Sequence, residues 1–298
     1  AQEGGPLMDL ALWTFFLLKG LEISAPIAFA ALGAVFSERS GVVNIALEGI
    51  MTITALMMVW GAIAFQTIWM GLVAAVLSGM VMALIHAVAT VTFRVDHVVS
   101  GVAINVFSVG LGRFLCQSFF GQETQSAINA RTFPALLGIN SMAFWLIPTV
   151  ALAWFLLQKT VFGLRLRSVG ENPEAADTLG VNVYLMRYLG VIISGALCGL
   201  GTATLFTDKW FSQTVAGRGY IALAACIFGR WNPLGAVLAS LLFGYADTIR
   251  IVFESQLRIP SSIVQMFPYV LALVVLAGLI GKARAPAADG RNFEKGES

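Results

Sequence analysis

The chain has 298 residues, 58% of them hydrophobic and only 11% charged, with a formal net charge of +2. A soluble domain carries about a quarter charged residues, so this composition excludes a water-covered globule. The 18 Lys and Arg against 16 Asp and Glu leave no basic footprint for a nucleic-acid partner. Cys116, Cys198 and Cys226 all sit in apolar runs, with no close pair to ligate a metal and no even count to pair as disulfides. His86 and His97 are far in sequence from any carboxylate cluster, so neither a metal site nor a cofactor is expected. Ala1 to Asp9 carry no basic patch and no cleavage pattern, so no signal peptide is expected.

A helix that crosses the hydrocarbon core needs roughly 20 mostly apolar residues. In chain order, residues 7–19 are expected as a further span or an interfacial helix, ahead of runs at 20–36, 45–65, 68–92 and 98–120. Further runs follow at 142–158, 187–207, 233–254 and 261–281, with a shorter one, 219–229, between two Gly-rich stretches. The expected fold is all-α: a polytopic transmembrane helix bundle of about eight to ten helices in the lipid bilayer. It forms one domain over 1–298, interrupted near 37–49 and 208–220.

Basic residues in short loops orient such a chain. The polar connection 159–186 holds Lys159, Arg165 and Arg167, with Arg187 at its far end. The tail 282–298 holds Lys282, Arg284, Arg291 and Lys295. Both are expected on the cytoplasmic side, and the intervening runs return the chain to the same side.

Small residues recur at helical spacing. Gly101, Asn105, Ser108 and Gly112 share one face, Gly195 and Gly199 form a G-x-x-x-G pair, and Ala236, Ser240 and Gly244 run on to Asp247. Each stripe reads as helix packing in lipid. Asn105 stands apart, because a buried amide needs partners in a helix, a cavity or a substrate.

The stretch from Ser37 to Gly49 interrupts a hydrophobic block, and Asn44 and Glu48 lie four residues apart on the helix that follows. A carboxylate at the bilayer centre costs about 2.5–3.5 kcal/mol on the insertion scale, so it usually faces a bundle interior or a pathway. A turn near the membrane surface explains the same residues equally well. Gly217-Arg218-Gly219-Tyr220 makes a second interruption, and paired interruptions point to a transport site between repeats.

In the polar connection, Asn172 suits a helix N-cap, Pro173 the first helical position and Gly180 the position past the end. Glu174 falls in the first turn, where the helix dipole favours negative charge. Ala175, Ala176 and Leu179 make one small apolar face on a helix too short to be stable alone. That face needs cover, either from a docking partner or from the membrane domain itself. No phosphate-binding loop is present: Ala283 follows Gly281-Lys282 where Ser or Thr is required, and Leu276 stands in place of the first Gly. No nucleophile–base spacing appears, so no enzyme activity is expected, and any energy from ATP must come from another chain.

Phe36 to Met51 (FSERSGVVNIALEGIM), Gly163 to Gly180 (GLRLRSVGENPEAADTLG) and Gly217 to Gly235 (GRGYIALAACIFGRWNPLG) resemble the permease subunits of bacterial nucleoside ABC importers. These belong to a wider family that also moves simple sugars and branched-chain amino acids. Ser100 to Leu115 and Ile259 to Gly281 extend the resemblance, which runs from about Gly20 to Pro286. It implies a permease of the bacterial cytoplasmic membrane, working with a cytoplasmic ATP-binding subunit, an extracytoplasmic substrate-binding protein and a second permease subunit, either a copy or a paralogue. It also implies that Glu171, Asn172, Pro173, Glu174, Ala175, Ala176, Leu179 and Gly180 form the element that contacts the ATPase. Asn44, Glu48 and Asn105 are expected to border the translocation path. Ala46 departs from the family, which commonly has Gly there. A simple-sugar permease is one alternative. An ion-coupled secondary transporter is another, for which Glu22, Glu48 and Asp247 are the candidate coupling groups.

Overall fold

A computed structural model of the chain describes residues 6–127, 132–205, 210, 213–253, 270 and 284–296. The described helices are α1 (Pro6–Arg39), α2 (Leu47–Ala64), α3 (Ile68–Ala87), α4 (His97–Phe120), α5 (Leu146–Lys159), α6 (Val161–Glu171), α7 (Pro173–Thr178), α8 (Val183–Leu205), α9 (Arg218–Phe228) and α10 (Pro233–Phe253). Among the described residues, six helical stretches are long and apolar enough to cross a membrane: Trp13–Arg39, Leu47–Ala64, Ile68–Thr92, His97–Phe120, Ser141–Lys159 and Val183–Leu205. The expected run 261–281 lies outside the described residues.

The largest correction is at the start. Residues 7–19 and 20–36 are not separate elements, because α1 runs unbroken for 34 residues. The Lys19–Gly20 pair reads as a boundary, yet Lys19 pairs with Glu22 one turn on and carries the helix across it. Pro26 removes the donor that would reach the Glu22 carbonyl, but its fixed φ is helical and the helix continues. Every residue from Ile23 to Glu38 is buried, so α1 is the core against which α8, α9 and α10 pack.

The small-residue stripes act as expected. A Cβ on Gly195 would lie 2.2 Å from the Gly79 carbonyl oxygen, so α8 and α3 meet backbone to backbone. On the last described helix, Gly244 lies against Ser24 of α1 in the same manner.

The connection 159–186 is not an open loop, since α6 and α7 occupy most of it. Arg187, read as a surface charge at its end, is 1% exposed inside the bundle. A short antiparallel hairpin, β1 (Ala135–Leu136) with β2 (Ile139–Asn140), closes the opposite end. There the Asn140 N–H donates to the Glu22 carboxylate at 3.0 Å, so Glu22 ties the hairpin to α1.

Candidate translocation and coupling site

The two interrupted segments meet. After α1, Gly41 adopts φ +88° and residues 42–44 are neither helix nor strand, the chain rejoining a helix at Leu47. Non-helical backbone at membrane depth is tolerated only where its polar groups find protein partners. Both polar groups of the Val43 peptide find histidines. The Val43 N–H donates to His97 Nδ1 at 3.2 Å, and the Val43 carbonyl accepts from His86 Nε2 at 3.0 Å. Since a carbonyl only accepts, His86 carries its proton on Nε2, and its Nδ1 accepts from the Ser100 hydroxyl at 2.9 Å. The histidines are thus supports for the break.

Glu48 lies in the first turn of α2. Its Oε1 accepts from the Gly217 N–H and its Oε2 from the Gly219 N–H, each at 2.8 Å. A helix N-terminus presents unpaired N–H groups and a positive dipole end, and here a carboxylate from another helix satisfies both. Gly219 is obligatory, because a Cβ there would fall 2.4 Å from the Glu48 nitrogen. The eleven residues of α9, at about 1.5 Å each, cover roughly half of a ~30 Å hydrocarbon core. Just past its far end, the Arg39 guanidinium donates to the Trp231 carbonyl at 2.8 Å, beside the close of α1. Glu48 therefore meets a half-length helix well inside the bundle.

Asn105 of α4 completes the junction. Its Oδ1 accepts from the Gly49 N–H at 2.8 Å, and its Nδ2 donates to the Ile45 carbonyl at 2.9 Å and the Tyr220 hydroxyl at 3.1 Å. Glu48 and Asn105 are thereby brought to one place, with Gly49 between them. Asn44 is not. It is fully buried, its Nδ2 donates to the Ser194 hydroxyl of α8 at 3.0 Å, and its Oδ1 is unpartnered among the described residues. Tyr220, which lay in the second interruption but carried no assigned role, joins the junction with half its surface exposed. Ala46 stands at the cap of α2 with φ −70° and ψ −2°, a conformation open to any L-residue, so the departure from Gly costs the backbone nothing.

At the other site, α7 has the predicted caps. The Asn172 Oδ1 accepts from the Ala175 N–H at 2.9 Å, Pro173 opens the helix and Gly180 follows it at φ +80°. The apolar face is divided, however. Ala176 is 2% exposed and packs on the chain's own Val169, Val183, Met186 and Phe293. Ala175 and Leu179, four residues apart, remain exposed, Leu179 to 84%. Of the two kinds of cover open to that face, the membrane domain supplies it for Ala176, while Ala175 and Leu179 are left exposed.

Residues 284–296 lie across this end of the bundle. The Ala288 N–H donates to the Gly170 carbonyl at 2.9 Å and the Gly290 N–H to the Gly41 carbonyl at 3.2 Å. The Ala287 N–H reaches the Glu171 carboxylate at 3.3 Å, and Lys295 pairs with Asp177 of α7 at 3.5 Å. Glu294 pairs with Arg94.

Asp289 is carried inward by this segment toward Arg187 and Glu38. Burial raises its pKa to about 7, opposed by the Gly290 N–H and the Arg187 charge. A carboxyl whose docked pKa lies above its free value of about 4 binds a proton more tightly when docked. Docking is thus favoured at low pH and weakens as pH rises from about 4 through 7. Protection from hydrogen exchange across 284–296, taken relative to the intrinsic rate at each pH, is expected to fall from pH 5 to pH 8, and Asp289→Asn is expected to flatten that profile. An unchanged slope in the variant would assign the titration to another group, Glu38 being the nearest.

A family profile described as the branched-chain amino acid transport system / permease component matches residues 16–276. The chain is 45% identical to the nucleoside ABC transporter permease protein NupC of Lactococcus lactis subsp. cremoris (strain MG1363), over 91% of this chain and 94% of that one. It is 42% identical to the guanosine ABC transporter permease protein NupQ of Bacillus subtilis (strain 168), over 93% and 95% respectively. A solved structure of a putative metal-chelate type ABC transporter in an inward-facing conformation aligns with a TM-score of 0.52. That alignment covers 94% of this chain and 91% of the other at 14% identity, a likeness of fold alone. By the span of the profile and the closeness of these relatives, the chain belongs to the branched-chain amino acid-type permease family and is a membrane-embedded permease subunit of an ABC transporter.

Proposed function

We propose that this permease forms the translocation path of a bacterial nucleoside importer. The observation that carries the substrate class is identity above 40%, along more than nine-tenths of both chains, to two permeases named for nucleosides and guanosine. In this reading the chain is a single transmembrane domain paired with a second permease subunit, a copy or a paralogue, in the cytoplasmic membrane. An extracytoplasmic binding protein delivers the solute and a cytoplasmic ATP-binding subunit supplies the energy.

Lys159, Arg165 and Arg167 mark the α7 end as cytoplasmic, as does the basic segment bearing Arg284, Arg291 and Lys295. Glu48 and Asn105 border the route, because they sit where a half-length helix begins inside the bundle and half-exposed Tyr220 adjoins them. Asn44 acts behind them, holding the break against α8. The element from Glu171 to Gly180 receives the ATPase, and the free Ala175 and Leu179 are its contact surface. Helix-in-groove recognition suits a capped helix with two apolar anchors one turn apart.

Reconstituted with its partners in proteoliposomes, the complex is expected to take up labelled nucleoside only with ATP inside and loaded binding protein outside. Excess unlabelled nucleoside should compete, and simple sugars should not. Sugar uptake without nucleoside uptake would reassign the substrate. Uptake driven by an ion gradient without ATP would refute the importer.

A further inference from the structure

The segment 284–296 touches both the coupling helix and the break that precedes Glu48, two places separated by more than 120 residues of chain. Phe293 is 6% exposed and lies in the buried cluster that holds Ala176 of α7, with its ring 5.5 Å from that of Tyr184 at the start of α8. Three residues earlier, Gly290 hydrogen-bonds to Gly41, and between these points Asn292 donates to the Arg94 carbonyl at 2.8 Å. Ala288 is 5% exposed and fixed to the end of α6. These contacts mix backbone hydrogen bonds, buried side chains and ion pairs, so the segment is integrated into the fold at this end. α7 is only six residues long and cannot transmit a displacement by its own rigidity. Its buried anchor, Ala176, belongs to the same buried apolar cluster as Phe293.

We propose that residues 284–296 are a clasp that carries movement of α7 to the 41–46 break, with Phe293 as the positioning residue at the α7 end and Gly290 at the break. The proposal rests on α7 being the ATPase contact. A push on α7 displaces Ala176 against Phe293. The backbone from Phe293 to Gly290 passes that shift to Gly41, where the glycine's left-handed backbone forms the hinge of the non-helical segment leading to Glu48. Coupling of two sites needs such an element whose arrangement both of them bias.

The test compares Phe293→Ala with Phe293→Leu in the full complex of permease, ATP-binding subunit and binding protein. Phe293→Ala is expected to co-purify with the ATP-binding subunit and keep basal hydrolysis, while stimulation by nucleoside-loaded binding protein falls about tenfold, the size of a typical coupling energy. Phe293→Leu, which refills the apolar site, is expected to restore stimulation. Hydrogen exchange at residues 41–44 should rise in Phe293→Ala and return in Phe293→Leu. Unchanged stimulation or unchanged exchange at 41–44 in Phe293→Ala would overturn the clasp. Loss of the ATP-binding subunit from that variant would also overturn it, since the segment would then only support docking. If the wild-type complex hydrolyses ATP without moving nucleoside, the substrate assignment fails while the exchange comparison at residues 41–44 remains readable.

Discussion

Ala175→Arg is expected to leave the permease inserted and folded, yet to remove stimulation of ATP hydrolysis and uptake together. Ala175 is exposed on the chain alone, so a long charged side chain there meets solvent until the ATPase docks. In the docked state it clashes with the groove that receives α7, and burying an unpaired charge costs several kcal/mol, on the order of the 3–5 kcal/mol for breaking a buried pair. Such a cost exceeds typical coupling energies of about 1–3 kcal/mol, so both activities should fall by at least tenfold. Ala176→Glu is expected to fail by a different route. Its carboxylate would be forced among Val169, Val183, Met186 and Phe293, and α7 would detach from its own membrane domain. Protection of α7 from hydrogen exchange separates the two: retained in Ala175→Arg, lost in Ala176→Glu. Full coupling in Ala175→Arg would mean that the energy enters elsewhere.

The second large effect is expected at the junction. Glu48→Leu leaves the Gly217 and Gly219 N–H groups without acceptors, and each buried orphan costs about 1–3 kcal/mol. Asn105→Leu orphans the Gly49 N–H and the Ile45 carbonyl in the turn just before and inside the same helix. Either variant should lower nucleoside uptake about tenfold or more, with ATPase assembly retained because α7 is held by separate contacts. Glu48→Gln keeps one acceptor oxygen and should fall between. The double variant should cost less than the sum, since both side chains stabilise one local structure. Wild-type uptake kinetics in both single variants would remove the pair from the route.

What the sequence disclosed depended on the range of the forces involved. The caps of α7 were legible because Asn172, Pro173 and Gly180 act on backbone within three residues of themselves. The packing stripes were legible because helical spacing alone decides which small residues share a face. The division of the α7 face was not, because the cluster that buries Ala176 draws on Val169, Val183 and Met186 of the neighbouring helices and on Phe293, far along the chain. Likewise Asn44, Glu48 and Asn105 were singled out by the cost of polar groups in lipid, but only tertiary structure separates Asn44 from the other two. His86 and His97 were considered as metal ligands and set aside, while their actual task, satisfying the backbone N–H and carbonyl of Val43, is written nowhere near them in sequence. The signal that was available is the break itself: an interrupted segment in a membrane helix requires polar side chains from elsewhere, and few buried ones were at hand. The extent of α1 was obscured by a Lys-Gly pair that resembles a boundary and is bridged on the helix surface.

The carboxylate seated on the start of α9 bears on the charge of the cargo. A bare helix terminus at that depth would act as a receptor for phosphate, since it offers converging N–H groups and a positive dipole end. Glu48 fills that receptor with a carboxylate of the protein's own. A phosphorylated solute arriving there would find the donors taken and a like charge in their place. An uncharged ribosyl base meets no such barrier and has the Tyr220 ring beside it. In the proposed route, the junction would therefore disfavour a phosphorylated solute by charge.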